Sequence, residues 1–187
     1  IKKMFGVNDE FDPKPYDATY SKQGICIIDI RGILGKEVNT QEHPEMLDID
    51  NVTCALKKAA ECEETKVIVL NFDSPGGQVT GIEELGNLIK EVGQTKQIVA
   101  YTDTIIGSAA YWLASNCNAI ICTPSSEVGS IGVFSLVEDH SERLAKEGIK
   151  VNAFFAGALK LLGLPFKPLS DEEKGWIQAG VDNQYAK

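Results

Sequence analysis

The sequence predicts an α/β fold: a largely parallel sheet covered by helices in a single domain. Three observations carry this. Short, near-continuous apolar runs rich in β-branched residues recur along the chain, as buried parallel strands do. Stretches with apolar residues at helical spacing alternate with them. The length of 187 residues suffices for one domain with a substantial core.

Taken in order, residues 1–23 are polar and contain Pro13 and Pro15, which predicts an extended N-terminal arm ahead of a domain over 24–187. Between Gly24 and Gly32, Ile25-Cys26-Ile27-Ile28-Asp29-Ile30 predicts a buried strand. Residues 49–64 predict a helix with Val52, Leu56 and Ala60 on one face. The clearest strand is 66–72, followed at once by Asp73-Ser74-Pro75-Gly76-Gly77. Ile82, Leu85, Leu88, Ile89 and Val92 then recur at helical spacing. A strand over 98–101, a short apolar helix over 108–115 and a strand over 119–122 come next. Beyond Gly129-Ser130-Ile131-Gly132 the pattern predicts a polar helix near 138–147 and a strand over 151–155. The last helix opens on a capping box, Ser170 with Glu173, and has an acidic first turn.

Composition narrows the function. Hydrophobic residues make up 43% and charged residues 24%, ordinary values for a globular protein. The net charge of -9 argues against non-specific nucleic-acid binding and against an anionic membrane surface. No apolar run approaches the ~20 residues that span a bilayer, and Ile1-Lys2-Lys3-Met4 lacks the apolar stretch of a signal peptide. A chain that begins with Ile leaves open an upstream segment and a membrane-anchored parent. The five cysteines are odd in number and form no Cys-x-x-Cys pair. Neither a disulfide framework nor a metal site is expected, and no cofactor is. Most of them lie in apolar stretches and read as small core residues in a reducing compartment.

The chemistry points to two segments. The Pro-Gly-Gly turn closes an apolar strand, where glycine leaves backbone N–H groups unobstructed, as an oxyanion site requires. Ser108, flanked by small residues in Ile106-Gly107-Ser108-Ala109-Ala110-Tyr111-Trp112, opens an apolar helix and suits a nucleophile. Each has a plainer reading, a tight strand-to-helix turn and an ordinary helix N-cap. The turn lacks the spacing of a phosphate-binding P-loop. A serine nucleophile needs a base. His43 lies in polar Thr40-Gln41-Glu42-His43-Pro44, and His140 stands among Glu138, Asp139, Ser141 and Glu142; both read as solvated. A lysine serves only when deprotonated, which burial promotes. Lys160 stands in the apolar run 154–166 and is the credible base; the alternative is a snorkelling lysine with its amine in water.

Four segments in order resemble the signal peptide peptidase A type of serine peptidase, within the Clp protease and crotonase superfamily. They are Asp73-Ser74-Pro75-Gly76-Gly77, Gly107-Ser108-Ala109-Ala110-Tyr111-Trp112-Leu113-Ala114-Ser115, Val128-Gly129-Ser130-Ile131-Gly132-Val133, and Ala156-Gly157 followed by Lys160. The resemblance runs from about Gly24 to the C-terminus. The residues after Ser108 depart from the Ser-Gly-Gly-Tyr-Tyr of many bacterial members and look more like the phage and prophage head-maturation branch.

This resemblance implies a Clp/crotonase-like fold and a Ser/Lys dyad. Ser108 falls on the nucleophile, Lys160 on the general base, and Ser130 on the hydroxyl that orients the lysine amine. The oxyanion hole falls on the N–H groups of Gly77, within the Gly76-Gly77 pair, and of Ala109. It further implies an endopeptidase acting on signal-peptide remnants or on capsid and scaffold proteins. The implied assembly is a homo-oligomeric ring or dome in which a neighbouring subunit can complete the dyad. The implied location is the cytoplasm or the phage prohead. Two other readings share the fold: a crotonase-like acyl-CoA hydrolase, which needs acidic catalytic residues, and a non-catalytic ring-forming scaffold.

Overall fold

The computed structural model describes residues 18–20 and 24–187; most of the expected arm over 1–23 lies outside the described residues. These divide into two compact units, one ending at Ile131 and one spanning Gly132–Lys187.

The first unit contains β1 (Thr19–Tyr20), β2 (Ile25–Arg31), β3 (Ile33–Gly35), β4 (Met46–Asp48), α1 (Ile49–Glu61), β5 (Val67–Asp73), α2 (Ile82–Val92), β6 (Gln97–Thr102), β7 (Ile105–Gly107), α3 (Ala109–Ser115), β8 (Ala119–Cys122) and β9 (Glu127–Gly129). Its main sheet has the order β1-β2-β5-β6-β8. β1 runs antiparallel to β2, and every other pairing is parallel. The register sets Ile28 opposite Leu70, Leu70 opposite Ala100 and Ala100 opposite Ile120.

From β2 to β8 the strand order follows the chain without reversal. Crossovers between parallel strands are right-handed, so α1, α2 and α3 fall on one face of the sheet. Burial agrees. Cys26, Ile28 and Ile30 of β2, Ile68, Leu70 and Phe72 of β5, and Ile98 and Ala100 of β6 are buried, while the residues between them are half-exposed. The helices answer with Val52, Leu56, Ile82, Leu85, Ile89, Ala110 and Leu113, all in one core. Each such aliphatic side chain contributes about 1.5–3 kcal/mol on burial.

α1 begins at Asp48, whose carboxylate accepts the Asp50 N–H at 3.0 Å. It ends at Glu61, short of the expected residue 64, because Cys62 turns to extended backbone. There the Lys96 ammonium donates to the carbonyl oxygens of Ala59, Cys62 and Thr65. A cation so placed satisfies carbonyls that a helix end leaves without partners.

The second unit contains α4 (Ser141–Lys146) and α5 (Asp171–Tyr185). The capping box of α5 is present in full: the Ser170 hydroxyl accepts the Glu173 N–H and the Glu173 carboxylate accepts the Ser170 N–H. Lys167 donates to both oxygens of that carboxylate. The strand expected over 151–155 is absent. This unit has no strand for it to pair with, and an apolar run without a partner forms no ladder; Phe154 is 97% exposed.

The cysteines also depart from expectation. Only Cys26 is buried; Cys54 and Cys122 are exposed, Cys62 and Cys117 half-buried, and all five are free thiols. Cys54 and Cys122 occupy outward positions that their apolar neighbours did not reveal.

Candidate active site

At the carboxyl end of β5 the chain enters Ser74-Pro75-Gly76-Gly77, and at the carboxyl end of β6 it enters β7 and then Ser108. Ends of this kind gather functional groups in α/β sheets. The two segments are laced together. The Ser74 N–H donates to Ile105 O at 3.1 Å, and the Gly107 N–H donates to Ser74 O at 2.9 Å. Gly76 has φ 105°. A Cβ there would lie 2.7 Å from the Ser108 Cβ, 2.8 Å from Gly107 O and 2.9 Å from Ala109 N. Only glycine fits, because the backbone of the turn passes directly against the serine.

Ser108 occupies the N-cap position of α3 yet makes no capping hydrogen bond, and its backbone stands at φ 50°, ψ -120°. This removes the plain N-cap reading, since an N-cap serine takes extended backbone and accepts an N–H from the first turn. The conformation is costly for a residue with a Cβ, on the order of 1–3 kcal/mol. Hydrogen bonds on both sides impose it. The Ser108 N–H donates to Gly129 O at 2.9 Å, and Ser108 O accepts the Trp112 N–H at 3.1 Å. The side chain itself is half-exposed.

The donors come next. Leu34 of β3 donates its N–H to Gly76 O at 2.8 Å and accepts the Gln78 N–H at 2.8 Å. The N–H and C=O of a trans peptide point in opposite directions. With the Gly76 carbonyl turned towards Leu34, the Gly77 N–H therefore points away from β3. Gly77 is exposed, and its N–H donates to no acceptor among the described residues. The Ala109 N–H likewise donates to none among them. The Gly76 N–H differs: it is buried and donates to Ser74 Oγ at 3.2 Å.

Ser130 follows β9. β7 and β9 pair in parallel with Gly107 opposite Gly129, so Ser108 and Ser130 leave the ends of adjacent strands. Gly76, Gly77, Ser108, Ala109 and Ser130 thus all belong to the first unit. Lys160 belongs to the second, in a turn region, and is exposed. The burial expected from its apolar neighbours is not found within the chain, because Phe154, Phe155 and Leu159 are themselves exposed. His43 is exposed; His140 is half-buried, with Nε2 2.6 Å from the Glu138 carboxylate and Nδ1 3.3 Å from Arg143 Nη2.

Two participants escaped the reading of the sequence. Leu34, from a three-residue strand, holds the glycine turn through its backbone alone, which no side-chain pattern signals. Ser74 lies inside the glycine motif; its hydroxyl was the available clue, and only burial reveals its use.

The sequence profile of peptidase family S49 matches residues 90–187. A protease-named protein of Methanocaldococcus jannaschii is 32% identical over 123 residues, covering 66% of this chain and 40% of its own. Capsid assembly protease C of Escherichia phage lambda is 26% identical over 175 residues, covering 93% of this chain and 40% of its own. A protein of Enterococcus faecium named for signal peptide peptidase A is 28% identical over 192 residues, covering 99% and 54%. The chain thus spans about half the length or less of these relatives. Among the described residues no helix is long and apolar enough to cross a membrane.

Proposed function

Because the chain belongs to peptidase family S49, we propose that it is a serine endopeptidase working through an acyl-enzyme, with Ser108 as nucleophile and Lys160 as general base. The observation that best supports this is Ser108 itself. It sits at a helix N-cap without capping, holds a strained backbone, and is pressed against Gly76. Strain held in place by several hydrogen bonds gathers at functional sites.

In the proposed reaction, neutral Lys160 takes the Ser108 proton as Oγ attacks the scissile carbonyl carbon. The N–H groups of Gly77 and Ala109 stabilise the oxyanion. The ammonium of Lys160 gives its proton to the leaving amine. Water, deprotonated by the neutral Lys160 amine, then attacks the acyl ester, and Lys160 returns that proton to Ser108 Oγ as the ester bond breaks. The Ser130 hydroxyl orients the Lys160 amine. The proposal includes a homo-oligomeric ring or dome, in which assembly can bury Lys160, exposed in the single chain, and a neighbouring subunit can complete the dyad. The names of the relatives support protein substrates, either signal-peptide remnants or phage capsid and scaffold proteins.

The test uses labelled casein and a fluorophosphonate serine probe. Ser108→Ala and Lys160→Ala should each lower turnover by about 10³-fold or more with the circular dichroism spectrum unchanged. Near-normal activity of Lys160→Ala would remove the dyad. An assembled wild type that takes no probe at Ser108 would favour a non-catalytic scaffold. Turnover of acyl-CoA thioesters in place of casein would favour a crotonase-like hydrolase.

A further inference from the structure

Resting on the peptidase reading above, we propose that Ser74 is a positioning residue that locks the oxyanion turn against the nucleophile. Ser74 has no exposed surface, and each of its hydrogen-bonding groups is engaged. Its hydroxyl donates to Gly32 O at 2.7 Å and accepts the Gly76 N–H at 3.2 Å. Its own N–H and carbonyl pair with Ile105 and Gly107. One residue thereby joins three segments: the corner between β2 and β3, the strand β7 that leads into Ser108, and the glycine turn.

The division of labour in the turn follows from these bonds. Leu34 orients the Gly76–Gly77 peptide by holding its carbonyl, which aims the Gly77 N–H. Ser74 orients the preceding peptide by holding the Gly76 N–H, since Pro75 has none to offer. That bond turns the Gly76 N–H inward and leaves Gly77 as the donor of the pair. It also fixes how closely Gly76 approaches Ser108, a separation with no slack: a Cβ at Gly76 would already stand 2.7 Å from that of Ser108. Two adjacent glycines have no side chains to hold the turn in its place. Without the hydroxyl, the Gly32 carbonyl and Gly76 N–H lose their buried partner, and the turn relaxes away from Ser108. A shift near 1 Å in such a site costs about 100-fold in rate.

The experiment compares wild type, Ser74→Ala and Val52→Ala in the full chain, using labelled casein and the rate of fluorophosphonate labelling at Ser108. Val52 is buried in α1, has no part in the turn, and sets the cost of lost stability alone. Ser74→Ala should lower kcat and the labelling rate by about 10–100-fold, with KM within about threefold. Val52→Ala should leave kcat within about twofold at temperatures where both variants are folded. If Ser74→Ala does not fold, Ser74→Cys, which keeps the shape of the side chain with a slightly larger and weaker donor, replaces it. Equal kcat for the Ser74 and Val52 variants, or a Ser74 effect confined to KM, would overturn the inference while the peptidase reading stands. A wild type that neither cleaves casein nor takes the probe overturns both.

Discussion

Ser108 and Ser130 are a matched pair: at φ 50° and 54° each leaves its strand in the left-handed half of backbone space, one residue beyond the paired Gly107 and Gly129. The Ser108 N–H donates to Gly129 O at 2.9 Å, so the two unusual conformations are tied to one another. Glu37 is the other described non-glycine residue with positive φ. Two of the three therefore stand side by side where the proposed chemistry occurs.

That strain has a measurable sign. Ser108→Gly should abolish peptidase activity yet raise stability above that of Ser108→Ala by about 1 kcal/mol, since glycine takes this backbone without penalty. Thermal unfolding of the two variants measures the difference. If Ser108→Ala is the more stable, the strain is not stored at this residue.

Gly76 allows no such exchange. Gly76→Ala would set a methyl within 3 Å of Ser108, Gly107 and Ala109 at a backbone angle that alanine avoids. A loss of at least 2–3 kcal/mol is expected, roughly the cost of a strained residue combined with overpacking. Urea unfolding measures it, and serine-probe labelling should fall with it.

Far from the site, Lys96 closes the end of α1 through three carbonyl acceptors. Lys96→Met keeps the length of the stem and removes the ammonium. Hydrogen bonds to a charged group are worth about 1.5–3 kcal/mol, so a loss in that range should appear in denaturant unfolding. Near the denaturation midpoint, probe labelling at Ser108 should track only the folded fraction.

The second unit carries its own pH dependence. The hydrogen bonds of Glu173 to the Lys167 ammonium, and next to the Ser170 N–H, hold its carboxyl below the usual value. A carboxyl whose folded pKa is lowered contributes stability above its unfolded pKa and loses it as the pH falls through the folded one. Helicity of α5, followed by circular dichroism, should therefore weaken as the pH drops below the ordinary glutamate range near 4.5. Glu173→Gln should flatten that response; an unchanged pH profile would refute the assignment.

How far the sequence could be read depends on what each feature rests upon. β2, β5 and β6 were legible as short near-continuous apolar runs, and α1 and α2 because apolar residues recur at helical spacing within the element itself. β3, β4, β7 and β9 span three residues each, too few to show a period, and exist through pairing with distant segments. Residues 151–155 show the opposite case: a strand-like composition that its own unit gives no partner. At the site, residue types announced Gly76, Gly77 and Ser108, but the backbone of Ser108 was not legible. A serine prefers negative φ, and Gly129 and Trp112 override that preference through hydrogen bonds. Lys160 stood out by its apolar run, a signal that the structure does not turn into burial, and Ser130 entered only through a family resemblance.

The Gly76 carbonyl rests on Leu34, and this divides the proposed site along the chain. The family profile begins at residue 90, so the matched stretch holds the proposed nucleophile and the proposed base. The proposed oxyanion turn lies upstream, held in shape by a strand still nearer the N-terminus. On the proposed mechanism, a fragment over 90–187 carries the family profile and lacks the oxyanion turn, so it should be inactive by itself. Co-expressed with the remainder of the chain, it becomes a complementation assay in which recovered turnover reports the docking of the turn, through Ser74, against Ile105 and Gly107.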